Sequence, residues 1–233
     1  CQLIKVKVKN EGNVIVIMNE SFADLGKIYD LNLTEDNIPF FHSLENEVRI
    51  GKMHSSKYGG GTANVEYEFL TQNTTAFLPV GSMPYQQYIR KNIKSIVSNM
   101  NDLEYDTLGI HPWYKHGYSR GKIYKFLGFN NYKFIEDMPE VIKDQNTYPS
   151  DEATYNELIK TLEEEKYSDK NTFAFVLTMQ NHLPYGGSLE SGMQYIAEDE
   201  ELNNYLQIEK KSDEALEKLI TSTKFKIRRK IQT

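Results

Sequence analysis

Three runs of apolar residues predict buried strands, and a polar residue with useful chemistry follows each run. The runs cover residues 13–18, 106–110 and 172–178. A short, nearly continuous apolar run is typical of a strand that is buried on both faces of a sheet. Glu20 follows the first run, His111 follows the second and His182 follows the third.

Helical patterns lie between and after these strands. In residues 63–70, Val65 and Phe69 are four positions apart, which predicts one buried helix face. Further apolar patterns predict a helix that begins at Pro84 and continues through Val97, and helices at about 151–165 and 199–220. Strands that alternate with helices predict an α/β fold, with a mixed, mostly parallel sheet and helices on both faces.

The three polar residues are expected to share one edge of this sheet. In open α/β sheets, ligands bind beyond the carboxyl ends of the strands. Glu20, His111 and His182 all fall at that edge. A single polar residue at a strand end is common, but three of them together indicate a functional site.

A run of three glycines leads into Thr62 at the start of the helix predicted over 63–70. Glycine adopts positive φ and lets the backbone approach a ligand, because it has no Cβ. Thr62 is therefore expected at or beside the N-cap, among unpaired N–H groups and at the positive end of the helix dipole. Such a place favours phosphate and assists a threonine alkoxide. The alternative interpretation is a tight turn with an ordinary threonine cap.

Composition narrows the function classes. The 233 residues are enough for one large domain, and the net charge of −6 argues against a general nucleic-acid surface. The only cysteine is Cys1, so no intrachain disulfide is possible. No apolar run approaches the roughly 20 residues of a membrane span. The sequence has no zinc pattern, P-loop lysine or GxSxG motif.

Each candidate residue has a functional and a structural interpretation. Glu20 offers the hard oxygen ligand that Mg²⁺ or Mn²⁺ prefers, or it is a solvated loop carboxylate. The Arg120 guanidinium suits phosphate, although a lone arginine is usually a surface charge. His111 and His182 either bind phosphate or a sugar hydroxyl, or are hydrogen-bonded structural histidines.

Four motifs that occur in one order resemble a known family. They are NVIVIMNESF at 13–22, GGGTANVEYEFL at 59–70, HPWYKHGYSR at 111–120 and TMQNH at 178–182. Together they resemble the extracellular domain of the lipoteichoic acid synthase group, the phosphoglycerol transferases of the sulfatase and alkaline phosphatase superfamily. The resemblance runs from about residue 13 to 220 and implies a sulfatase/alkaline phosphatase-like fold.

The resemblance implies a role for each candidate residue. Glu20 and Thr62 resemble the residues that bind the metal, Mn²⁺ or Mg²⁺, and Thr62 also resembles the nucleophile. His111, Arg120 and His182 resemble the residues that hold the glycerol phosphate group. Tyr118 stands where the family usually has a tryptophan, which keeps an aromatic wall. The C/S-x-P-x-R pattern of sulfatases proper is absent, so sulfate ester hydrolysis is disfavoured.

The implied function is phosphoglycerol transfer from a glycerophospholipid or polyglycerol phosphate, at the extracellular face of the cell membrane. Membrane association is expected through segments outside this chain. Two alternatives remain at this stage. One is a catalytically incomplete domain that binds glycerophosphate or a glycan without turnover. The other is a phosphodiesterase or phosphatase of the same superfamily, with water as the acceptor.

The C-terminal part of the family fold is predicted to be missing. The family completes its metal site with an Asp-His pair well beyond the helix that ends here near residue 220, and no histidine follows His182. The predicted organisation is a lead-in at 1–12, a partial sulfatase-like catalytic domain at 13–222 and a basic tail at 223–233. A truncated gene product is one explanation of this ending, and a tail that contacts a membrane or partner is the other.

Overall fold

Four parallel strands form the centre of the structure, a computed structural model that describes residues 12–31, 33–44, 51, 55–57, 59–143, 148–164, 170–185 and 199–222. The strands are β1 (Val14–Met18), β2 (Asp106–His111), β3 (Asn131–Phe134) and β4 (Thr172–Leu177), in the order β1-β4-β2-β3. Each neighbouring pair is parallel. The predicted mostly parallel α/β sheet is confirmed.

The central strand β4 divides the core into two layers. Successive side chains of a strand point to opposite faces of the sheet. Phe173 and Phe175 therefore pack with one buried cluster, and Ala174 and Val176 pack with another. Helices contribute to both clusters, so the prediction of helices on both faces is also confirmed.

Nine α-helices surround the sheet in the part of the chain that the structure describes. They are α1 (Leu25–Ile28), α2 (Pro39–Ser43), α3 (Thr62–Thr71), α4 (Pro84–Gln87), α5 (Ile96–Asp102), α6 (Arg120–Leu127), α7 (Pro139–Lys143), α8 (Asp151–Leu162) and α9 (Glu200–Thr221). Helices α3, α8 and α9 confirm the predicted helices at 63–70, 151–165 and 199–220 to within a few residues. None of the helices in the described ranges is long and apolar enough to cross a membrane.

The single helix predicted from Pro84 through Val97 is wrong. The structure has two short helices there, α4 and α5, with irregular backbone between them. Ser95 begins α5 with a capping box, in which its hydroxyl accepts from the Ser98 N–H. The Ile93 N–H donates to the Phe126 carbonyl, so a tertiary hydrogen bond replaces a helical one.

The buried face of α3 also differs from the predicted one. Phe69 is 40% exposed, with its ring stacked on Phe175. The face that points inward carries Ala63, Glu66 and Leu70. Glu66 is buried at a position where an apolar residue is expected, because Arg120 neutralises its charge.

The predicted lead-in and basic tail lie almost entirely outside the described residues. Residues 1–11 and 223–233 lie outside the described residues, so the predicted boundaries of the domain stay predictions.

Candidate functional site

The candidate residues gather at the carboxyl edge of the sheet. Glu20 lies two residues after β1, His111 closes β2 and His182 follows β4. Thr62 is the first residue of α3. Because parallel strands present their carboxyl ends to the same side, four segments distant in sequence supply this edge.

The glycines before Thr62 have the conformation that their sequence predicts. Residues 59, 60 and 61 all have positive φ, at 59°, 80° and 77°. Gly61 is the N-cap of α3, and its left-handed backbone turns the chain into the helix. Thr62 thus lies beside the N–H groups that the first turn of a helix leaves unpaired.

Glu20 and Thr62 meet directly. The Thr62 hydroxyl donates to the Glu20 carboxylate, with Oγ1 at 3.2 Å from Oε2 and 3.4 Å from Oε1. The Glu20 backbone N–H donates to the Thr178 hydroxyl over 3.1 Å, which ties the end of β1 to the end of β4. The Ser21 hydroxyl donates to Glu20 Oε1 over 3.1 Å. The carboxylate is therefore fixed against the threonine.

This pair fits a divalent cation in its chemistry. A carboxylate and a hydroxyl oxygen are the hard ligands that Mg²⁺ and Mn²⁺ take. Within the described ranges, no group of three or more His, Cys, Asp or Glu side chains could hold a metal ion. Glu20 and Thr62 therefore fit as two ligands of a larger set.

His111 is buried with one ring nitrogen unpaired. Its Nδ1 donates to the Leu177 carbonyl at 3.1 Å, which fixes the ring against the end of β4. Its Nε2 has no hydrogen-bond partner among the described residues. Burial holds the pKa of His111 well below its ordinary value, and the positive charge of Arg120 lowers it further. The ring is therefore neutral near pH 7, and Nε2 carries a lone pair that can accept a hydrogen bond.

Arg120 is held by a carboxylate that the sequence analysis did not single out. Its Nε donates to Glu66 Oε2 over 2.9 Å, and both side chains are buried. The Tyr118 ring lies beneath the guanidinium, with its centroid 5.1 Å from the Arg120 Cζ atom. Tyr118 and Ser119 both have positive φ, at 50° and 61°. Two such residues in succession store backbone strain, which is common at functional sites.

His182 lies at the exposed rim. Its Nδ1 donates to the Leu183 carbonyl at 2.7 Å, and its ring packs on Tyr148 with centroids 5.0 Å apart. Tyr148 packs in turn on Trp113, at 5.4 Å. Electrostatic repulsion from His182 also lowers the pKa of His111, so the two histidines lie near each other.

Three buried polar residues near this site are not among the predicted site residues. Thr178 fixes the backbone of Glu20, Glu66 holds Arg120, and Asp151 lies buried where α8 begins. A signal existed for Glu66, which follows Thr62 by four residues and so shares its side of α3. No comparable spacing pointed to Asp151, whose neighbours come from other parts of the chain.

Comparison with known proteins supports the resemblance seen in the sequence. The family model described as Sulfatase matches residues 12–226. A protein of Rhizobium meliloti, provisionally named a cyclic beta-1,2-glucan modification protein, is 37% identical over 177 residues, which cover 76% of this chain and 26% of that protein. Lipoteichoic acid synthase 1 of Bacillus subtilis is 27% identical over 223 residues, which cover 91% of this chain and 33% of the synthase.

Solved structures share the fold. The lipoteichoic acid synthase LtaP of Listeria monocytogenes matches with a TM-score of 0.76 and 22% identity, over 90% of this chain and 51% of that one. The Streptococcus pyogenes phosphoglycerol transferase GacH, in complex with sn-glycerol-1-phosphate, matches with a TM-score of 0.74 and 22% identity, over 91% of this chain and 57% of that one. The chain thus spans about half of these structures and a third or less of the curated relatives.

Proposed function

This chain belongs to the sulfatase family, and from that premise we propose that it carries part of a metal-dependent phosphoglycerol transferase site with Thr62 as the nucleophile. One observation carries the proposal. The Thr62 hydroxyl lies 3.2 Å from a Glu20 oxygen at the first turn of α3, beyond the carboxyl ends of the strands. A hydroxyl beside both a carboxylate and a helix N-terminus is suited to attack on phosphorus.

The site residues would take different parts in the transfer. Glu20 and Thr62 would hold a divalent cation, Mn²⁺ or Mg²⁺, which supplies Lewis acidity when it is bound. The Thr62 hydroxyl loses its proton as Oγ1 forms a bond to phosphorus, the bond from phosphorus to the diacylglycerol oxygen breaks, and that oxygen takes up a proton. Arg120 and His182 bind the phosphoryl oxygens, and the neutral His111 accepts a hydrogen bond from a substrate hydroxyl.

The second step would release the enzyme. The hydroxyl of an acceptor attacks the phosphorus, its proton leaves, and the bond between phosphorus and Thr62 Oγ1 breaks. Thr62 is thereby regenerated with its proton. An acceptor hydroxyl completes a transferase reaction, whereas water completes a phosphodiesterase reaction on the same residues.

Glycerol phosphate is the donor group that the comparisons favour. GacH is described in complex with sn-glycerol-1-phosphate, and two other matches are lipoteichoic acid synthases. We therefore propose the head group of a glycerophospholipid as the donor, at the outer face of a membrane. Attachment to that membrane would depend on segments outside this chain.

A glycan is the acceptor that one relative and one surface feature favour. The Rhizobium meliloti relative is named for the modification of a cyclic glucan. Next to His111, the ring of Trp113 contacts Tyr148, and Tyr148 contacts His182. Aromatic faces of this kind suit the apolar face of a sugar ring. A carbohydrate hydroxyl would then reach the phosphorus from this side.

The experiment is a search for the covalent intermediate. The protein is incubated with Mn²⁺ and phosphatidylglycerol, and its intact mass is measured with and without added glycerol or β-glucan. We expect a glycerophosphoryl adduct in the wild type and a loss of about a thousand-fold or more in turnover for Thr62→Ala. Thr71→Ala is the matched control, because Thr71 lies at the other end of α3, where its hydroxyl binds the Tyr67 carbonyl.

Comparison of β-glucan with water as the acceptor distinguishes a transferase from a phosphodiesterase. Faster loss of the adduct with β-glucan supports the glycan acceptor, and equal loss in water alone indicates a phosphodiesterase. An adduct that persists in Thr62→Ala contradicts the nucleophile. Binding of glycerol 1-phosphate without any adduct or turnover identifies a binding domain with an incomplete site.

A further inference from the structure

We propose that Glu66 is a positioning residue, which holds Arg120 by its Nε so that the two terminal amino groups of the guanidinium are left for a phosphoryl group. The inference rests on the proposed function, because it concerns how the same site binds its anionic substrate. Glu66 is not among the residues that the motifs identify with metal or substrate.

The geometry divides the donors of Arg120 between two tasks. A guanidinium has five N–H donors in a fixed, planar fork. The Glu66 carboxylate takes the one on Nε, at 2.9 Å. Within the described residues, this is the only hydrogen bond that the Arg120 side chain makes. The paired edge that best matches two phosphate oxygens therefore stays available.

The Tyr118 ring restricts the guanidinium from a second direction. Its centroid lies 5.1 Å from Arg120 Cζ, so the planar group is held between a carboxylate at one edge and an aromatic ring at one face. A flexible arginine loses side-chain entropy when it binds an anion. An arginine that is already fixed loses less, and its affinity for phosphate rises accordingly.

Helix α3 connects this anchor to the nucleophile. Thr62 and Glu66 are four residues apart, so they lie on the same side of the helix, one turn from each other. The helix thus fixes Thr62 Oγ1 through its backbone and Arg120 through Glu66. The spacing between the attacking oxygen and the phosphate-binding fork is then set by one rigid element rather than by loops.

The burial of Glu66 and Arg120 indicates that their ion pair has a role beyond stabilising the fold. The exposed fractions of the side chains are 4% for Arg120 and 0% for Glu66. Desolvation of two charges costs about as much as their attraction returns, so buried pairs seldom contribute net stability. The Tyr85 and Tyr124 hydroxyls lie near this carboxylate, but its second oxygen, Glu66 Oε1, has no hydrogen-bond partner of good geometry among the described residues. A purely structural role would be better filled by an apolar pair of the same size.

The first measurement is the affinity for sn-glycerol-1-phosphate by isothermal titration. Glu66→Gln keeps the shape of the side chain but removes the charge that fixes Arg120. We expect binding to weaken about tenfold or more, in line with the loss of an oriented charge-assisted contact. Glu68→Gln is the matched control, since Glu68 is on the same helix but binds the Thr75 N–H, away from Arg120. Its affinity should equal that of the wild type.

The second measurement determines the effect of Glu66→Gln on the same affinity in a protein that also carries Arg120→Lys. Lysine keeps a cation beside Glu66, so the buried charge stays paired. One ammonium group cannot bind the Glu66 carboxylate and a phosphate equally well at the same time. In the Arg120→Lys protein, Glu66→Gln removes the competing carboxylate and leaves the lysine available to the phosphate. We expect the substitution to leave binding unchanged or to strengthen it in this background. A structural role of Glu66 would weaken binding by the same factor in both backgrounds.

An NMR measurement without ligand tests the positioning of Arg120 separately from the proposed function. The Arg120 Nε–H should give a slowly exchanging NMR signal, whose exchange becomes faster in Glu66→Gln, because a neutral amide oxygen accepts less strongly than a carboxylate, and stays slow in Glu68→Gln. A wild type that retains the signal but does not bind glycerol 1-phosphate contradicts the proposed function and the positioning role together. Normal binding by Glu66→Gln, or equal losses with arginine and lysine, contradicts the positioning role alone.

Discussion

At the scale of single residues, the least expected feature is the buried carboxylate of Asp151. The side chain is fully buried, and neither of its oxygens has a hydrogen-bond partner of good geometry among the described residues. Burial raises its pKa to about 6, although the nearby Ser212 and Thr178 hydroxyls favour the charged form. Its charge at neutral pH therefore costs stability.

Replacement of Asp151 should change the free energy of unfolding by an amount that depends on pH. The raised pKa means that the folded state binds the proton more tightly than the unfolded state, so Asp151 destabilises the fold as the pH rises through about 6. Asp151→Asn should raise the free energy of unfolding by about 1–3 kcal/mol at pH 8 and leave it nearly unchanged at pH 4. Urea unfolding at both pH values measures the difference. Asp102→Asn, an exposed control, should change neither.

At the scale of elements, the start of α3 depends on its glycine. Gly61 has φ +77°, and a Cβ placed there would lie 3.3 Å from Lys57 Cγ. A left-handed backbone costs an L-residue about 1–2 kcal/mol, and the crowding adds to it. Any relaxation of this strain would move Thr62, the next residue in the chain.

Gly61→Ala should therefore damage activity more than stability. We expect the free energy of unfolding to fall by about 1–2 kcal/mol and turnover to fall by a larger factor, because Thr62 leaves its place against Glu20. Thermal unfolding and adduct formation measure the two effects. Gly26→Ala, in α1 and without positive φ, should alter neither, and equal losses in the two variants would contradict this account.

At the scale of the whole molecule, α9 holds the segment that follows Glu20. Glu209 accepts hydrogen bonds from the Ala23 N–H and the Asn37 side chain, at 2.7 and 2.6 Å. Asp213 accepts from the N–H groups of Phe40 and Phe41, both at 2.8 Å. Two carboxylates of one helix thus hold a segment that lies about 170 to 190 residues earlier in the chain.

Loss of the hydrogen bonds to Asp213 should increase local opening of the segment around Phe40 and Phe41 alone. In Asp213→Asn, one carboxylate oxygen becomes an amide donor and can no longer accept from both backbone N–H groups. We expect amide exchange at Phe40 and Phe41 to rise about 10- to 100-fold, which corresponds to the roughly 1–3 kcal/mol of a lost charge-assisted hydrogen bond. Exchange within β4 should stay as in the wild type. A uniform rise across the chain would instead indicate global destabilisation.

The sheet and the position of Thr62 could be predicted because their signals are local. Apolar runs reveal buried strands, and three glycines before a helical pattern reveal its start. The four-residue β3 carries too short a pattern, and the helix predicted through Val97 fails because tertiary hydrogen bonds override its periodicity. The pairing of Glu66 with Arg120 joins residues 54 positions apart, which no local pattern encodes.

The pairing of β1 with β4 also has a consequence for the order in which the chain folds. Val14 lies opposite Phe173, and the Glu20 N–H reaches Thr178 across 158 residues. A contact that closes so long a loop forms slowly, whereas β2 and β3 are neighbours in sequence. During synthesis, β1 is made first but must wait for β4 to leave the ribosome. We expect the carboxylate that faces Thr62 to reach its place late in folding, after the glycine turn and α3 have formed.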